Sequence, residues 1–131
     1  MKILITGGTN GMGKGVAKVL AGADNQLHEI VILCRSKKLG EGLIKEFENT
    51  TSNKKISFIL CDLTKLGDVR NAIQEIQNKH KFLDGIFINA GLGYASKRVE
   101  TEDGMDQHFQ VNYLSHFMLI LNFLNLLEKS E

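Results

Sequence analysis

One stretch near the beginning of the 131-residue chain decides the fold: Lys2-Ile3-Leu4-Ile5-Thr6-Gly7-Gly8-Thr9-Asn10-Gly11-Met12-Gly13. Its uninterrupted apolar run, Ile3 to Ile5, is typical of a strand covered by helices on both faces. Glycines follow, and a helical pattern of apolar residues then continues to about Ala21, just before Gly22. A strand, a glycine-rich turn and a helix in that order are the context that a dinucleotide-binding fingerprint requires.

Three glycines of this turn have separate predicted roles. Gly7 can adopt backbone angles closed to residues with a Cβ atom, Gly11 lets the main chain approach a pyrophosphate, and Gly13 lets the helix lie close to the strand. The helix opens near Met12 and directs unsatisfied N–H groups toward the phosphates. We therefore predict that a dinucleotide is bound by Gly7, Thr9, Asn10, Gly11, Met12 and Gly13.

The pattern Thr6-Gly7-x-x-x-Gly11-x-Gly13 resembles the N-terminal motif of the short-chain dehydrogenase/reductase family. The resemblance implies an NAD(P)-dependent oxidoreductase that acts on a carbonyl or alcohol group of a small-molecule substrate. For the fold it implies an α/β protein with a Rossmann-type doubly wound parallel sheet in three layers and strand order 3-2-1-4. Residues 1–131 would form one dinucleotide-binding domain, the N-terminal part of a longer family domain.

The residues after the second predicted strand, Ile30 to Cys34, favour NADP over NAD. In NAD-binding versions an acidic residue about 20 positions after the glycines binds the ribose 2′-hydroxyl. Here Arg35 occupies that place, where its guanidinium offers a fork of donors suited to a phosphate, and Ser36 can add a hydroxyl. The alternative is that Arg35 is only a solvated loop cation. The family's NADP binders often place a second basic residue where Asn10 stands.

Two later segments resemble the family at the ends of predicted strands. After the third strand, Asp62-Leu63 matches the pair that receives the adenine amino group and packs on the ring; alternatively, Asp62 helps the next helix to begin. After the fourth strand, Asn89-Ala90-Gly91 matches the segment that passes beside the cofactor, with Asn89 tying neighbouring strands together. Ile88 replaces the first Asn of the commoner form of this motif.

The stretch from Thr101 to Phe117 resembles the retinol-dehydrogenase-like and protochlorophyllide-reductase-like branches of the family. There the residue matching Asn112 perturbs the helix and holds a water of the proton relay, which makes Asn112 the catalytic candidate; the alternative is a helical Asn in the core. The family's Tyr-x-x-x-Lys pair is absent from this sequence. Tyr94 with Arg98 is a poor substitute, because a guanidinium keeps its proton. A second hypothesis is therefore a non-catalytic NADP(H)-binding or assembly module.

Composition limits the classes of partner and the cellular compartment that we expect for this protein. The formal charge of +1, from 16 basic and 15 acidic residues, gives no reason to expect nucleic acid or an anionic membrane as a partner. The longest apolar stretch is interrupted by polar residues and is too short for a membrane span. Two cysteines without a recognisable signal segment predict free thiols in a cytoplasmic protein. The cysteines and the four histidines lack metal-ligand spacing, so no metal site is predicted.

The chain is expected to be truncated relative to the family domain, after the fourth strand and the fourth helix. The fourth strand would then be an exposed edge, and the helix predicted over 106–127 would be apolar almost all round. Because such surfaces normally acquire a partner, we expect a homo-oligomer or a complementing C-terminal half.

Overall fold

The computed structural model describes residues 1–23 and 28–130, so the predicted loop from Ala23 to His28 lies largely outside the described residues. The strands are β1 (Lys2–Thr6), β2 (Glu29–Cys34), β3 (Ile56–Leu60) and β4 (Gly85–Phe87). The first helices are α1 (Gly11–Ala21), α2 (Lys37–Thr50) and α3 (Leu66–Lys79). A last helical segment comprises α4 (Gln107–Phe109), a π-helical turn (Gln110–Leu114) and α5 (Ser115–Leu127).

The four strands form one parallel sheet. β1 pairs with β2 and with β4, and β2 pairs with β3, in the order β3-β2-β1-β4. The predicted strand order is therefore confirmed. Since parallel neighbours need a crossover connection, each strand is followed by a helix before the next strand begins. β4 is the shortest strand and lies at one edge of the sheet, as expected.

Two hydrophobic clusters cover the two faces of the sheet and produce the three predicted layers. Successive side chains of a strand point to opposite faces. On one face, Leu4 and Val31 pack with residues of α3 and α5, such as Ile76 and Phe123. On the other face the strands pack against α1 and α2, through Ile5, Ile30, Ile32, Ala17, Leu43 and Phe47. Both faces are buried, which explains why the sequence of β1 and β2 is apolar without alternation.

The beginning of α3 is held by a residue from a distant loop. The carboxylate of Asp103 accepts hydrogen bonds from the main-chain N–H of Leu66, at 2.8 Å, and from the side-chain amide of Gln110, at 2.9 Å. Asp62, the residue that the sequence offered for starting this helix, instead accepts two hydrogen bonds from Thr64. Asp62 therefore shapes the turn that leads into α3, whereas the acceptor for the Leu66 N–H comes from 37 residues further along the chain.

We expect Asp103→Ala to lower the thermal unfolding midpoint. The substitution removes the acceptor for the Leu66 N–H and one partner of the buried Gln110 amide, and unsatisfied polar groups of this kind destabilise the folded state. Thermal unfolding followed by far-ultraviolet circular dichroism measures the change. Glu102→Ala is the control, since Glu102 contributes only an exposed pairing with Lys65 at 3.7 Å. Equal midpoints for the two variants would contradict the assigned role of Asp103.

One face of the last helical segment exposes a row of aromatic side chains. Phe109, Tyr113 and Phe117 follow one another along it with ring centroids 5.5 and 5.8 Å apart, and each is roughly half exposed. The opposite face buries Leu119 and Phe123 in the core. Across the described ranges, no helix combines the length and hydropathy that a membrane crossing needs.

Candidate functional site

A cleft of about 370 Å³ opens at the carboxyl ends of the strands. Its lining includes most of the residues that the sequence predicts for a dinucleotide: Gly7, Thr9, Asn10, Gly11, Met12, Arg35, Asp62, Leu63, Asn89, Ala90 and Gly91. Gly13, Ser36 and Asn112 are not part of the lining. Seven lining residues were missed by the sequence reasoning, namely Thr6, Leu33, Cys34, Cys61, Thr64, Leu92 and Val111.

The glycine turn packs against the segment that follows β4. Gly7 has φ +67°, and a Cβ atom there would lie 2.9 Å from the Cα atom of Ala90. A Cβ atom on Gly13 would lie 2.5 Å from the side-chain nitrogen of Asn89 and closer still to the carbonyl oxygen of Gly7. Gly13 therefore lies behind the cleft and contributes close packing, as its predicted role requires.

The beginning of α1 presents free hydrogen-bond donors. Asn10 caps this helix by accepting the Gly11 N–H at 2.8 Å, and the Lys14 N–H donates to the Asn10 carbonyl at 3.2 Å. Between them, the N–H groups of Met12 and Gly13 have no acceptor among the described residues. The first turn carries no acidic side chain. Free N–H groups and the positive end of the helix dipole together favour an anion at this point.

Asn89 joins the ends of β1 and β4. Its side-chain N–H group donates to the carbonyls of Thr6 and Gly7, at 3.3 and 3.2 Å, and its main-chain N–H donates to the Thr6 hydroxyl at 3.0 Å. The Ala90 N–H donates to the same hydroxyl, also at 3.0 Å. Asn89 thus has the tying geometry that the sequence predicted. The sequence reasoning assigned no role to Thr6, although a hydroxyl side chain at the end of an otherwise apolar strand was a signal.

Arg35 and Ser36 have different surroundings. Arg35 is exposed, lines the cleft and makes no salt bridge to any described residue. Ser36 caps α2, where its hydroxyl oxygen accepts the Leu39 N–H at 3.3 Å. A direct contact of Ser36 with a ligand therefore stays a prediction, whereas Arg35 already faces the space in which a ligand would lie.

Asp62 and Leu63 form the wall beyond β3. The Asp62 carboxylate accepts from the N–H and the hydroxyl of Thr64, at 2.9 and 2.7 Å, which closes a tight turn. Leu63 is buried, and its carbonyl accepts the Ser115 hydroxyl at 2.7 Å. The last helical segment therefore fixes the position of this wall.

The two cysteines lie close together but on opposite faces of the sheet. The Cys61 N–H donates to the Cys34 carbonyl at 2.9 Å, while Cys34 packs with α1 and α2 and Cys61 packs with α3. Both thiols are free and buried. Burial raises the pKa of Cys34 and raises that of Cys61 to about 12, so both remain neutral. The prediction of free thiols is confirmed for the described chain.

Asn112 occupies the middle of the π-helical turn. Its side-chain oxygen accepts the Leu92 N–H at 2.7 Å, and its side-chain nitrogen donates to the Leu92 carbonyl at 3.0 Å. The residue is exposed, so the alternative of a helical Asn in the core is wrong. The helix is perturbed at this position, as predicted, and π-helical turns often accompany functional sites.

His116 is buried next to the cleft. Its Nε2 atom lies 3.0 Å from the Thr6 hydroxyl oxygen. Burial lowers the pKa of His116, and the nearby Asn112 carbonyl opposes only part of that shift. The imidazole is consequently neutral at physiological pH. In the described part of the chain, no group of histidine, cysteine and acidic side chains could hold a metal ion.

We expect the free energy of unfolding to fall as the pH decreases below about 6.5, the ordinary pKa of histidine. The pKa of His116 is lower in the folded than in the unfolded chain, so the unfolded chain binds the proton first. The stabilisation that His116 contributes is complete above the pKa of histidine in the unfolded chain. It is lost as the pH falls from there through the lower pKa of His116 in the folded chain. Urea denaturation at a series of pH values measures it, and His116→Gln should show a smaller loss. Identical pH dependence in both proteins would contradict the prediction.

The arrangement of sheet, glycine turn and cleft has counterparts in known proteins. The family model described as short chain dehydrogenase matches residues 1–131. The chain belongs to the short chain dehydrogenase family. Human polyprenol dehydrogenase is 32% identical to it over 127 residues, and human retinol dehydrogenase 11 is 30% identical over 128 residues. A retinol dehydrogenase among these relatives agrees with the branch indicated by residues 101–117.

The matched regions cover 97% and 98% of this short chain dehydrogenase chain, but only 37% and 39% of those relatives. The chain therefore spans less than half the length of the curated relatives it matches. Solved structures of the family also match. The NADP complex of Pseudomonas aeruginosa RhlG is 25% identical with a TM-score of 0.78, over 98% of this chain and 48% of that chain. The NADPH complex of a short chain dehydrogenase from Escherichia coli CFT073 is 27% identical with a TM-score of 0.77, over 99% and 54%.

Proposed function

We propose that this chain binds NADP(H) in the cleft and forms the cofactor-binding half of an oxidoreductase that acts on a carbonyl or alcohol substrate. One observation carries the proposal. Met12, whose N–H group is free, lines the cleft next to the glycine turn, and Arg35 lines the same cleft. Two separate groups suited to anions therefore border one cleft, as a dinucleotide with an additional phosphate requires.

The residues of the cleft fit such a cofactor. Gly11 has φ +53° and no heavy atom within 4 Å of the place where its Cβ atom would be, so the main chain is open to close approach. The free N–H group of Met12 would hold the pyrophosphate at the opening of α1, while Gly13 packs behind it. Asp62 and Leu63 would border the adenine, and Asn89, Ala90 and Gly91 would form the wall beside the remainder of the cofactor, with Thr9 and Asn10 at the glycine turn.

Arg35 is the basis for preferring NADP to NAD. It stands directly after β2, where NAD-binding relatives of this fold place an acidic residue. Among the residues that line the cleft, Asp62 is the acidic one, and its carboxylate is already engaged by Thr64. A guanidinium without a carboxylate partner is available to a 2′-phosphate, with Ser36 as a further hydroxyl. The matching NADP and NADPH complexes of family members support the same choice.

Bound NADP(H) would supply or accept the hydride that passes between its nicotinamide ring and the substrate carbon. Asn112 would position a water of the proton relay. Its amide can make four hydrogen bonds, and Leu92 uses two of them. One lone pair on Oδ1 and one hydrogen on Nδ2 remain to hold the water. The pairing with Leu92 also fixes the segment that follows β4.

We also propose that the exposed apolar surface is covered by a partner and that the protein is cytoplasmic. The uncovered stripe of Phe109, Tyr113 and Phe117 and the edge strand β4 would be covered by a second copy or by a complementing C-terminal half. Buried free thiols suit a reducing, cytoplasmic environment. Sedimentation of the purified chain tests the first alternative, since a single species of 14.6 kDa at all concentrations would contradict self-association.

Calorimetric titration with NADPH and with NADH tests the cofactor assignment, followed by an assay of a panel of carbonyl substrates. We expect binding of both cofactors, with NADPH the tighter. If neither binds, the proposal fails. If NADPH binds but no carbonyl in the panel is reduced, the result supports the non-catalytic NADP(H)-binding module.

A further inference from the structure

Thr6 and His116 meet at the back of the cleft although they are 110 residues apart in the chain. Both are buried, with 0% and 3% of their surface exposed. The Thr6 hydroxyl oxygen lies 3.0 Å from His116 Nε2 and also accepts the main-chain N–H groups of Asn89 and Ala90, each at 3.0 Å. One hydroxyl therefore joins the end of β1, the segment after β4 and helix α5.

Hydrogen-bond counting determines the protonation of His116. A threonine hydroxyl has two acceptor lone pairs and one hydrogen. Asn89 and Ala90 occupy both lone pairs of Thr6, so the Thr6 hydroxyl must donate its hydrogen, and His116 Nε2 is its partner. Nε2 must then be the unprotonated nitrogen. The ring is consequently neutral and carries its hydrogen on Nδ1.

The other side of the ring agrees with a neutral histidine. Nδ1 is fully buried and has no hydrogen-bond partner of good geometry among the described residues. The main-chain carbonyl of Asn112, one helical turn earlier, raises the pKa of the His116 ring, but burial lowers that pKa by more. No charged side chain shifts it. A hydrogen on Nε2 would point at the Thr6 hydroxyl oxygen, which has no lone pair left to accept it.

We propose that His116 is a positioning residue of the cofactor site. As the Nδ1–H tautomer it accepts the Thr6 hydroxyl hydrogen and fixes Thr6 Oγ1 as the acceptor that holds Asn89 and Ala90 beside the glycine turn. These two residues line the cleft, whereas His116 does not. Its effect on the cofactor would therefore be indirect. The effect on cofactor affinity rests on the proposed function, while the tautomer does not.

Two substitutions test the positioning role by NADPH titration. His116→Gln keeps a side-chain oxygen that can accept the Thr6 hydroxyl, and we expect its NADPH affinity to stay within a few-fold of the parent chain. His116→Leu leaves a buried hydroxyl without an acceptor, and we expect affinity to fall roughly tenfold. Equal affinities for the parent, Gln and Leu proteins would overturn the proposal, as would an equal loss in both variants.

A second measurement needs neither a substitution nor a cofactor. Histidine labelled with ¹⁵N distinguishes the two tautomers by the chemical shifts of the ring nitrogens. We expect His116 to show an unprotonated Nε2 near neutral pH. Observation of the Nε2–H tautomer would refute the inference even if NADPH binds, whereas an unprotonated Nε2 in a chain that does not bind NADPH would refute only the proposed function.

Discussion

Replacing Gly13 by alanine is expected to destabilise the chain and to abolish NADPH binding. The added methyl would lie 2.5 Å from the Asn89 side-chain nitrogen and 2.9 Å from the Gly7 carbonyl carbon, with the Gly7 oxygen closer still. Two of these atoms belong to the main chain of the glycine turn, which cannot yield without moving the turn itself. Overpacking of this kind costs about 1–3 kcal/mol or more. Urea denaturation and NADPH titration of the same preparation measure both effects.

Gly15→Ala is the matched control on the same helix, two residues further along. Gly15 is exposed, and apart from its chain neighbours and the nearby backbone of α1 no heavy atom lies within 4 Å of the position that its Cβ atom would take. Alanine is the better helix former by about 1 kcal/mol, so this variant should be more stable than the parent and should bind NADPH normally. A Gly13→Ala protein that is as stable as Gly15→Ala and retains NADPH binding would show that the turn does not pack as described.

The second large effect is expected from Arg35→Ala. Loss of the guanidinium should weaken NADPH binding and leave NADH binding nearly unchanged, because only NADPH carries a 2′-phosphate. Hydrogen bonds to a charged group contribute about 1.5–3 kcal/mol, which corresponds to roughly 10- to 100-fold in affinity. Parallel calorimetric titrations with the two cofactors measure the change. The preference for NADPH should disappear.

Lys38→Ala controls for general electrostatics near Arg35. Lys38 is exposed at the beginning of α2 and does not line the cleft, so its removal subtracts one positive charge without touching the proposed phosphate site. A contribution from long-range attraction alone would weaken NADPH binding similarly in both variants. Equal losses in the two proteins, or a parallel loss of NADH binding in Arg35→Ala, would contradict the assignment of Arg35.

Much of the fold could be predicted because local sequence patterns determine where its helices and strands lie. Val69, Ala72, Ile73 and Ile76 recur at spacings of three and four in the sequence, and they are the four buried residues of α3. The third strand was predicted to end before Asp62, and β3 ends at Leu60. The strand order followed from the resemblance to the family. Details of the termini were less predictable: Gly22 does follow α1, but with φ −89° rather than in the left-handed conformation common for glycine at this place.

The candidate site was predicted only in part. Residues within a motif, such as Gly7 and Asn89, were identified because each motif carries its own spacing. Thr6 was quoted in the opening motif without a role, and His116 was considered only as a possible metal ligand. No sequence spacing indicates that these two residues are in contact. Their contact exists because α5 packs against the sheet where β1 ends, and sequence periodicity says nothing about which helix residue arrives there.

By itself, the sequence determined the alternation of strands and helices, the glycine turn after β1 and the cation after β2, because each depends on neighbouring residues and on backbone preferences. Only the tertiary structure decided that Asp103 caps α3, that Asn112 holds Leu92 and that His116 accepts the Thr6 hydroxyl. These interactions join residues between 20 and 110 positions apart. They form when packing of the apolar faces brings distant polar groups within hydrogen-bonding distance, and burial then requires each group to find a partner.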